Sequence, residues 1–381
     1  MKRLNIGLDV GSTTVKVIVM DKNKNILYKD YQRHFSDTKK TIDNLLTDIL
    51  NKFKDYEFTM TLTGSGAIAL AKFLNVNFVQ EVIACKNAIY EYAPSTDVAI
   101  ELGGEDAKIV YFGQTIEQRM NGSCAGGTGA FLDQMAVLLN TTTEGLNELA
   151  KDGKQIYPIA SRCGVFAKTD IQPLLNEGAE KCDVALSIMQ AVVNQTISGL
   201  ACGKPIKGNV IFLGGPLNYL SCLRDRFIKT LDLKDNEIIV PDDANLFVAM
   251  GACLDKEKKN ILSYKELEEL KKKLSKFKED ESNNLDALFK TKKEYNEFVK
   301  RHNKDSIKRA DLSKYSGDIF VGIDAGSTTC KVVAINNNGE LLYENYQSNL
   351  GTPVDTVKKM ILDLYSKLPE NTIIRQAGST G

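Results

Sequence analysis

Two cysteines lie in short loops, each directly before a segment with helical periodicity. Cys124 belongs to the loop sequence GSCAGGTG, and Cys163 belongs to the sequence SRCG. The N-terminus of a helix lowers the pKa of a nearby thiol, because its free N–H groups and its dipole favour the thiolate. The same N–H groups can hydrogen-bond the sulfides of an iron–sulfur cluster, and the glycines after Cys124 leave space for such a bulky anion. Both loops therefore predict thiolate chemistry or metal ligation.

Spacing alone leaves two interpretations of these loops open. A [4Fe–4S] cluster normally takes four cysteine ligands, and the loops supply two. Two copies of a two-cysteine site, related by a dimer axis, would complete the set. The alternative is that Cys124 and Cys163 are ordinary buried cysteines. The other six cysteines form no CxxC pair, and we expect them to be buried thiols.

Three glycine turns follow apolar strands and could bind a nucleotide. They read DVGSTTVK at 9–16, ELGGED at 101–106 and LGGP at 213–216. The Gly-Ser-Thr-Thr tip of the first turn offers backbone N–H groups and hydroxyls to phosphate oxygens. Asp9 stands just before this tip, where it could hold Mg²⁺ through water or orient an attacking water. The other two turns allow the backbone to approach a ligand closely.

Each of these turns alone is a weak signal, because a strand that ends in Gly-Gly is often only a structural turn. Three turns in this order and spacing favour a nucleotide site. The chain contains no GxxxxGK[ST] sequence and no GxGxxG sequence that opens a βαβ unit. A Walker ATPase and a Rossmann dehydrogenase are therefore both disfavoured.

The composition is that of an ordinary globular protein, with 43% hydrophobic and 26% charged residues among 381. The 49 basic and 49 acidic residues balance, so charge gives no indication of a nucleic-acid or membrane partner. The N-terminus lacks the apolar region of a signal peptide, and the apolar runs are shorter than a membrane span. We expect a cytoplasmic protein without disulfides. The two histidines, His34 and His302, have no ligand candidate nearby in sequence, so we expect surface or incidental roles.

The beginning of the chain recurs near its end. Residues 6–16 read IGLDVGSTTVK and residues 321–331 read VGIDAGSTTCK, an offset of 315 that also aligns Tyr28 with Tyr343. So long a period excludes a solenoid and indicates a duplicated domain. The second copy stops within its first subdomain, so we expect this chain to be a fragment of a longer protein.

The order of elements predicts an α/β fold in residues 1–255, since buried strands alternate there with amphipathic helices. Residues 256–316 are rich in charge and carry apolar side chains at helical spacing, at Tyr264, Leu267, Leu270, Leu274 and Phe277. We expect a solvated helical linker there, with a basic docking surface as the alternative. Residues 317–381 are expected to be the truncated start of a second module.

The three glycine turns resemble the phosphate-1, phosphate-2 and adenosine motifs of the acetate kinase, sugar kinase, actin and chaperone ATPases. Proteins of that superfamily have two ribonuclease-H-like domains that close on ATP. The resemblance implies that the phosphates and Mg²⁺ meet Asp9, Gly11, Ser12, Thr13, Thr14 and Lys16. It implies that the opposite side of the phosphates meets Gly103, Gly104 and Asp106, and that the adenosine meets Gly214, Gly215 and Pro216.

Three carboxylates are the predicted catalytic groups: Asp9, Glu101 and Asp106. The superfamily usually has aspartate at the position of Glu101 and glutamine at that of Glu105. This chain therefore departs from the pattern around Mg²⁺ and the attacking water. The resemblance implies ATP, ADP and Mg²⁺ as ligands.

The two cysteine loops resemble those of one particular family within this superfamily. The patterns NxxCAxGTGxFLDxMA and SxCxVFAxxD, read around Cys124 and Cys163, are similar to those of the activators of 2-hydroxyacyl-CoA dehydratases and of the related benzoyl-CoA reductase ATPase subunits. Those proteins share one [4Fe–4S] cluster between two subunits, each giving two cysteines. The resemblance implies an anaerobic ATPase that lowers the cluster potential. One electron, supplied by a ferredoxin or flavodoxin, then passes to a partner dehydratase or reductase.

The sequence from Arg309, RADLSKYSGDIFVGIDAGSTT, resembles the junction in long members of this family, which carry two ATPase modules in tandem. This chain would be their N-terminal piece, and its second copy ends before any cysteine pair. It would then assemble a cluster as a homodimer or pseudo-dimer, or bind none. Two other functions stay open: a small-molecule kinase of the same fold, and a nucleotide-binding regulatory module without turnover.

Overall fold

The strands form three β-sheets within the described part of the chain. The computed structural model describes residues 2–113, 115–121, 126–160, 164–256, 260–277, 287–326, 328–349 and 351–381. The strands are β1 (Lys2–Val10), β2 (Thr14–Met20), β3 (Ile26–Arg33), β4 (Tyr56–Thr63), β5 (Asn77–Phe78), β6 (Val98–Leu102), β7 (Ala107–Tyr111), β8 (Glu117–Met120), β9 (Val210–Leu213), β10 (Ile238–Ile239), β11 (Gly317–Ala325), β12 (Thr329–Asn336), β13 (Leu341–Ser348) and β14 (Thr372–Thr380).

Helices connect and cover these sheets. They are α1 (Thr38–Lys52), α2 (Ile68–Leu74), α3 (Glu81–Tyr92), α4 (Gly129–Leu138), α5 (Thr143–Lys151), α6 (Gly164–Asn176), α7 (Lys181–Thr196), α8 (Gly215–Tyr219), α9 (Ser221–Leu231), α10 (Phe247–Cys253), α11 (Tyr264–Leu274), α12 (Lys292–His302) and α13 (Pro353–Lys367).

The first two sheets share one topology. The first has the strand order β3-β2-β1-β4-β5, with β1 to β3 as an antiparallel meander and β4 parallel to β1. The second has the order β10-β9-β6-β7-β8, with β6 to β8 as the meander and β9 parallel to β6. This repetition confirms the predicted α/β fold of two ribonuclease-H-like domains.

The third sheet repeats the first one. Its order is β13-β12-β11-β14, again a meander with one parallel strand added. The side chains repeat as well, since Lys331 Nζ lies 2.8 Å from Asp324 Oδ2 and Lys16 Nζ lies 2.7 Å from Asp9 Oδ2. The internal duplication read from the sequence is therefore present in three dimensions.

Helix α10 packs directly on β1 because residue 7 is glycine. A Cβ at Gly7 would lie 2.1 Å from the carbonyl oxygen of Ala249 and 2.9 Å from the Cys253 sulfur. Gly322 is its counterpart in the third sheet, and a Cβ there would meet only the Val333 side chain, at 3.1 Å. Among the described residues, the third sheet therefore lacks the helix that covers the first.

Helix α7 is long and apolar, and it continues as a π-helical turn over Ile197–Ala201. By length and composition alone, residues 181–201 would be long enough to cross a membrane. However, 67% of the most apolar stretch of this helix is buried. Val184, Ile188 and Val192 are fully buried in the core that packs on the second sheet. A helix that is apolar nearly all round is expected at the centre of a large core.

The segment after α10 differs from the solvated linker that we predicted. Helix α11 begins at a capping box between Ser263 and Glu266 and buries an apolar face against the first sheet, made of Leu267, Leu270 and Leu274. Lys271 also pairs with Asp43 of α1 at 3.4 Å. Helix α12 buries none of its residues and is solvated as predicted. Residues 260–277 thus belong to the core of the first domain.

Truncating this helix at its buried face should destabilise the first domain. Leu267 is fully buried, so we expect Leu267→Ala to lower the free energy of unfolding by about 2–5 kcal/mol, through lost burial and a residual cavity. Urea denaturation followed by circular dichroism measures this change. The control is Leu288→Ala, whose side chain is 87% exposed. Equal unfolding free energies for both variants would mean that α11 does not stabilise the domain.

Candidate active site

Asp9 and Lys16 form an ion pair below the tip of the first hairpin. They lie opposite each other in the β1–β2 register, and Asp9 is only 3% exposed. The tip is closed by the Gly11 N–H, which donates to the Thr14 carbonyl at 2.9 Å. Burial disfavours the charged ammonium, but the charge and hydrogen bond of Asp9 raise the pKa of Lys16. The hairpin therefore holds a fixed carboxylate and a fixed cation beside its hydroxyls.

The Gly-Gly turn of the second domain meets this tip directly. The Gly103 N–H donates to the Asp106 carbonyl at 2.8 Å and closes the turn between β6 and β7. A Cβ at Gly104 would lie 2.1 Å from Thr13 Oγ1, so only glycine allows this approach. A cleft of about 450 Å³ opens here, lined among others by the predicted residues Asp9, Gly11, Ser12, Thr13, Thr14, Lys16, Glu101, Gly103, Gly104 and Asp106.

Lys108 of β7 lies among three carboxylates in the same cleft. Its Nζ lies 2.6 Å from Asp106 Oδ2 and 3.9 Å from Glu101 Oε1, and it also pairs with Glu81 of α3. Burial opposes its charge, but the three carboxylates raise the pKa of Lys108. Neither Lys108 nor Glu81 is among the predicted site residues. The position of Lys108 opposite Glu101 in the hairpin could have indicated it, whereas Glu81 comes from a separate helix without a local signal.

Glu101 is a buried carboxylate of the cleft, only 8% exposed. Its burial raises the pKa of Glu101 to about 7 from 4.5, and the nearby Asp106 and Glu81 add to the rise against the opposing charge of Lys108. A raised pKa means that the folded protein binds this proton more tightly than the unfolded chain does. The free energy of unfolding therefore falls as pH rises from about 4.5 through 7.

Replacing Glu101 with glutamine should remove this pH dependence. In nucleotide-free protein, the unfolding free energy of Glu101→Gln relative to wild type should rise by roughly 2 kcal/mol between pH 5 and pH 8. Urea denaturation at both pH values measures the difference. The neighbour Glu105 offers a control, because Glu105→Gln removes an exposed carboxylate from the same turn and should not reproduce this rise. A constant difference for Glu101→Gln would show that Glu101 ionises as it does in water.

The LGGP turn is not among the described residues that line the cleft, although it lies beside them. It follows β9, which runs parallel to β6, so the turn lies next to the Gly-Gly turn at neighbouring strand ends. Gly214 has a φ of +89°, and a Cβ there would lie 2.0 Å from the Leu102 carbonyl oxygen. A Cβ at Gly215 would lie 2.7 Å from the Tyr31 hydroxyl, and Pro216 lies in the first turn of α8. The predicted adenosine contact thus stays a prediction.

The helices that follow the two cysteine loops begin next to each other. Helix α4 begins at Gly129, five residues after Cys124, and α6 begins at Gly164, directly after Cys163. Both cysteines lie outside the described residues. A Cβ at Gly164 would lie 3.4 Å from the Phe131 side chain of α4. The chain segments that flank the two loops therefore converge at one place.

Helix α4 is hydrogen-bonded to the cleft through its first turn. The Gly129 N–H donates to the Gly103 carbonyl at 3.0 Å, and the Ala130 N–H donates to the Gly104 carbonyl at 2.7 Å. Both acceptors belong to the Gly-Gly turn that lines the cleft. Any displacement of this turn therefore acts directly on the helix that follows the Cys124 loop.

A second connection joins α4 to the first domain. The guanidinium of Arg33, at the end of β3, donates two hydrogen bonds to Asp133 of α4, at 3.0 and 3.2 Å. Thr143 also donates its hydroxyl to Asp133. Bidentate pairs of this kind fix orientation as well as distance. Helix α4 is thus tied to both sides of the cleft.

The polar groups of the cleft fit a hydrated magnesium ion. Asp9, Glu101 and Asp106 carry the hard oxygen ligands that Mg²⁺ prefers. Thr63 lies opposite Asp9 in the β1–β4 register, and its buried hydroxyl has no hydrogen-bond partner within the described ranges. Within those ranges, three or more histidine, cysteine or carboxylate side chains do not converge on a common metal position. Water and phosphate oxygens would therefore complete the coordination.

A profile of the BadF/BadG/BcrA/BcrD ATPase family matches residues 6–254, which include both glycine turns of the cleft and both cysteine loops. The chain belongs to this ATPase family. An (R)-2-hydroxyglutaryl-CoA dehydratase activating ATPase from Acidaminococcus fermentans is 30% identical over 220 residues. These residues cover 56% of this chain and 84% of the relative. This family member therefore resembles an activator over most of the activator's length.

Solved structures of such activators support the fold of this family member. The crystal structure of the A. fermentans (R)-2-hydroxyglutaryl-CoA dehydratase component A is similar with a TM-score of 0.58 and 26% identity, over 70% of this chain and 99% of that protein. The activator of the 2-hydroxyisocaproyl-CoA dehydratase from Clostridium difficile, solved with bound ADPNP, has a TM-score of 0.55 at 22% identity, over 74% and 100%. The second similarity concerns the fold alone.

Proposed function

We propose that this chain is an ATP-hydrolysing iron–sulfur protein that drives low-potential single-electron transfer to a 2-hydroxyacyl-CoA dehydratase or a related CoA-ester reductase. The observation that carries the proposal is the hydrogen bonding between α4 and the Gly-Gly turn. It connects a cleft suited to phosphates with a helix that begins five residues after Cys124. A nucleotide-dependent movement of the turn would therefore reach the cysteine loop through two backbone hydrogen bonds.

The two walls of the cleft would have different roles in ATP hydrolysis. The tip residues Gly11 to Thr14 would bind phosphate oxygens with N–H and hydroxyl groups, and Lys16 would add a positive charge. Gly103 and Gly104 would let the opposite wall approach the same phosphates. Asp9 would hold Mg²⁺ through water, and Glu101 would accept a proton from the attacking water, since its pKa of about 7 suits a base at neutral pH. Asp106 would keep Lys108 in place.

Cys124 and Cys163 are the proposed ligands of a [4Fe–4S] cluster shared by two chains. Gly164 and Phe131 bring the starts of α4 and α6 together. The N-terminus of α6, directly after Cys163, would offer N–H groups to anionic sulfur, whereas the first two N–H groups of α4 already donate to the Gly-Gly turn. When bound, such a cluster would carry the single electron. Each chain supplies two thiolates, so a homodimer or a pseudo-dimer would complete the four ligands.

Exposed apolar side chains next to the cysteine loops support this assembly. Val165 and Phe166, directly after Gly164, are 69% and 62% exposed. Apolar side chains that cluster around a shared site are the usual core of an interface between subunits. A second copy of the module would cover them when the two cysteine pairs meet.

The proposal extends to partners and organisation. The A. fermentans relative is named as activating a dehydratase, which supports a dehydratase-like partner here. A ferredoxin or flavodoxin would supply the electron, and neither nucleic acid nor a membrane would take part. Free thiols and a cluster fit a reducing cytoplasm. We assign the working ATPase module to residues 1–255 together with 260–277, which pack on its first sheet, a linker to the rest of 256–316 and the start of a second module to 317–381.

The direct test is ATP-dependent activation of a partner enzyme. Anaerobically purified, reduced protein should activate a 2-hydroxyacyl-CoA dehydratase component in the presence of Mg·ATP and fail with Mg·ADPNP, because turnover is required. ATP hydrolysis without activation, at any protein ratio, would contradict the electron-transfer role. Nucleotide binding without hydrolysis would instead identify a regulatory module.

A further inference from the structure

The cleft is bordered by a buried histidine that the proposed mechanism does not use. His34 follows β3 directly and is only 8% exposed, so the surface role expected from the sequence is wrong. Its Nε2 lies 3.2 Å from the carbonyl oxygen of Gly11, and its backbone N–H donates to the Thr13 carbonyl at 3.1 Å. One residue therefore contacts the phosphate tip at two positions.

The partners of the His34 ring determine where its proton lies. The Ser36 N–H donates to Nδ1 at 3.1 Å, so Nδ1 is an acceptor. A carbonyl oxygen only accepts, so Nε2 carries the proton and donates it to Gly11. The ring is thus a donor towards the tip and an acceptor towards Ser36, which has a left-handed backbone with a φ of +65°.

The second copy makes the same connection with a different side chain. Asn349 stands at the position of His34, at the offset of 315. Its Nδ2 donates to the Gly326 carbonyl at 2.7 Å, and its Oδ1 accepts from the Gly351 N–H at 2.9 Å. Both partners are the counterparts of those that His34 contacts, and Gly351 also has a positive φ of 78°.

The backbone hydrogen bond recurs as well, since the Asn349 N–H donates to the Thr328 carbonyl at 3.0 Å. An imidazole and an amide thus supply one donor and one acceptor to equivalent partners. The two side chains share one hydrogen-bond donor and one acceptor, and they differ in aromaticity and size. These two hydrogen bonds therefore hold the hairpin tip in both copies.

We infer that His34 is a positioning residue for the phosphate-binding tip, which it orients through the Gly11 carbonyl. In a planar trans peptide, the carbonyl of Gly11 and the N–H of Ser12 point in opposite directions. Holding the carbonyl against His34 therefore directs the Ser12 N–H away from His34, and Ser12 lines the cleft. Without the ring, this peptide could rotate and turn a carbonyl oxygen towards the phosphates, which would repel them.

This inference rests on the proposed ATP site, and its test is the affinity for Mg·ADPNP measured by titration calorimetry. His34→Ala should weaken binding by about 3- to 10-fold, the effect of one hydrogen bond. His34→Asn reproduces the side chain of the second copy and should bind within about twofold of wild type. His302→Ala is the control, because the other histidine is exposed and contacts Phe298 of its own helix. Thermal unfolding of each variant separates folding from binding.

The outcomes are distinct. Wild-type affinity in a folded His34→Ala variant would overturn the inference, and so would a folded His34→Asn variant with weakened binding. If His34→Ala does not fold, His34→Asn decides alone, since wild-type affinity supports the role and lost affinity contradicts it. Wild-type protein that binds no Mg·ADPNP would instead refute the proposed function, and the inference would fall with it.

Discussion

Replacing Cys124 with serine should remove the iron from anaerobically purified protein. The wild-type protein should contain about two irons and two acid-labile sulfides per chain, because one [4Fe–4S] cluster would be shared by two chains. Serine supplies no thiolate, so the two remaining Cys163 residues would give the cluster only half of its ligands. Iron and sulfide analysis of both proteins measures the loss.

Cys202 provides the matched control for this experiment. This residue is exposed at the left-handed end of the π-helical turn, with a φ of +46°, and its thiol donates to the nearby Gly199 carbonyl at 3.4 Å. This exposure corrects the expectation that it is a core thiol. Cys202→Ser should keep the full iron content. Iron contents that are equal in Cys124→Ser and wild type would exclude Cys124 as a ligand.

The second large effect is expected at Asp9. Asp9→Asn should lower the rate of ATP hydrolysis by about 10²-fold or more, because it removes the charge that would hold hydrated Mg²⁺ or orient the attacking water. It also leaves Lys16 without its partner, which lies at 2.7 Å. A coupled assay of ADP release under saturating Mg·ATP measures the rate.

The second copy offers an internal control for this variant. Asp324 pairs with Lys331 at 2.8 Å in the equivalent hairpin, but residues 317–381 contain no counterpart of the Gly-Gly turn at 103–104. Asp324→Asn breaks the same kind of ion pair and should leave hydrolysis unchanged. If both variants lost activity equally, the effect would come from a weakened fold rather than from the first cleft. Full activity in Asp9→Asn would remove Asp9 from the mechanism.

The parts of the site that could be predicted from sequence are those fixed by local geometry. A strand followed by Gly-Ser-Thr-Thr and a second strand closes a hairpin by itself, so Asp9 and Lys16 had to face each other across it. The turn at Gly103 and Gly104 is determined in the same way by its two flanking strands. These local rules suffice to place the two phosphate turns.

The parts that could not be predicted depend on contacts between distant segments. Glu81 reaches Lys108 from the start of α3, and nothing in the sequence around either residue indicates that pairing. His34 belongs to no recognisable sequence motif. It contacts the Gly11 carbonyl only because β3 ends next to the tip of the first hairpin. The apolar spacing around Leu267 predicted a helix correctly but could not show which surface the helix covers.

The two copies of the hairpin show which of these long-range contacts are common to both. His34 and Asn349 make equivalent hydrogen bonds to the Gly11 and Gly326 carbonyls. The hairpin therefore requires a hydrogen-bond donor at this position, and not one particular side chain. The same comparison at Gly7 and Gly322 shows that a close helix contact belongs to the first copy within the described residues. Residues of the second copy, such as Asp324 and Asn349, can therefore serve as controls for their counterparts Asp9 and His34.

The most direct measurement of the central claim is the midpoint potential of the iron-loaded protein with and without Mg·ADPNP, followed by electron paramagnetic resonance. If the Gly-Gly turn transmits nucleotide binding through α4 to the cysteine loops, the nucleotide should lower the potential of the wild-type protein. A cluster with the same potential in both states of the wild-type protein would contradict the proposed coupling.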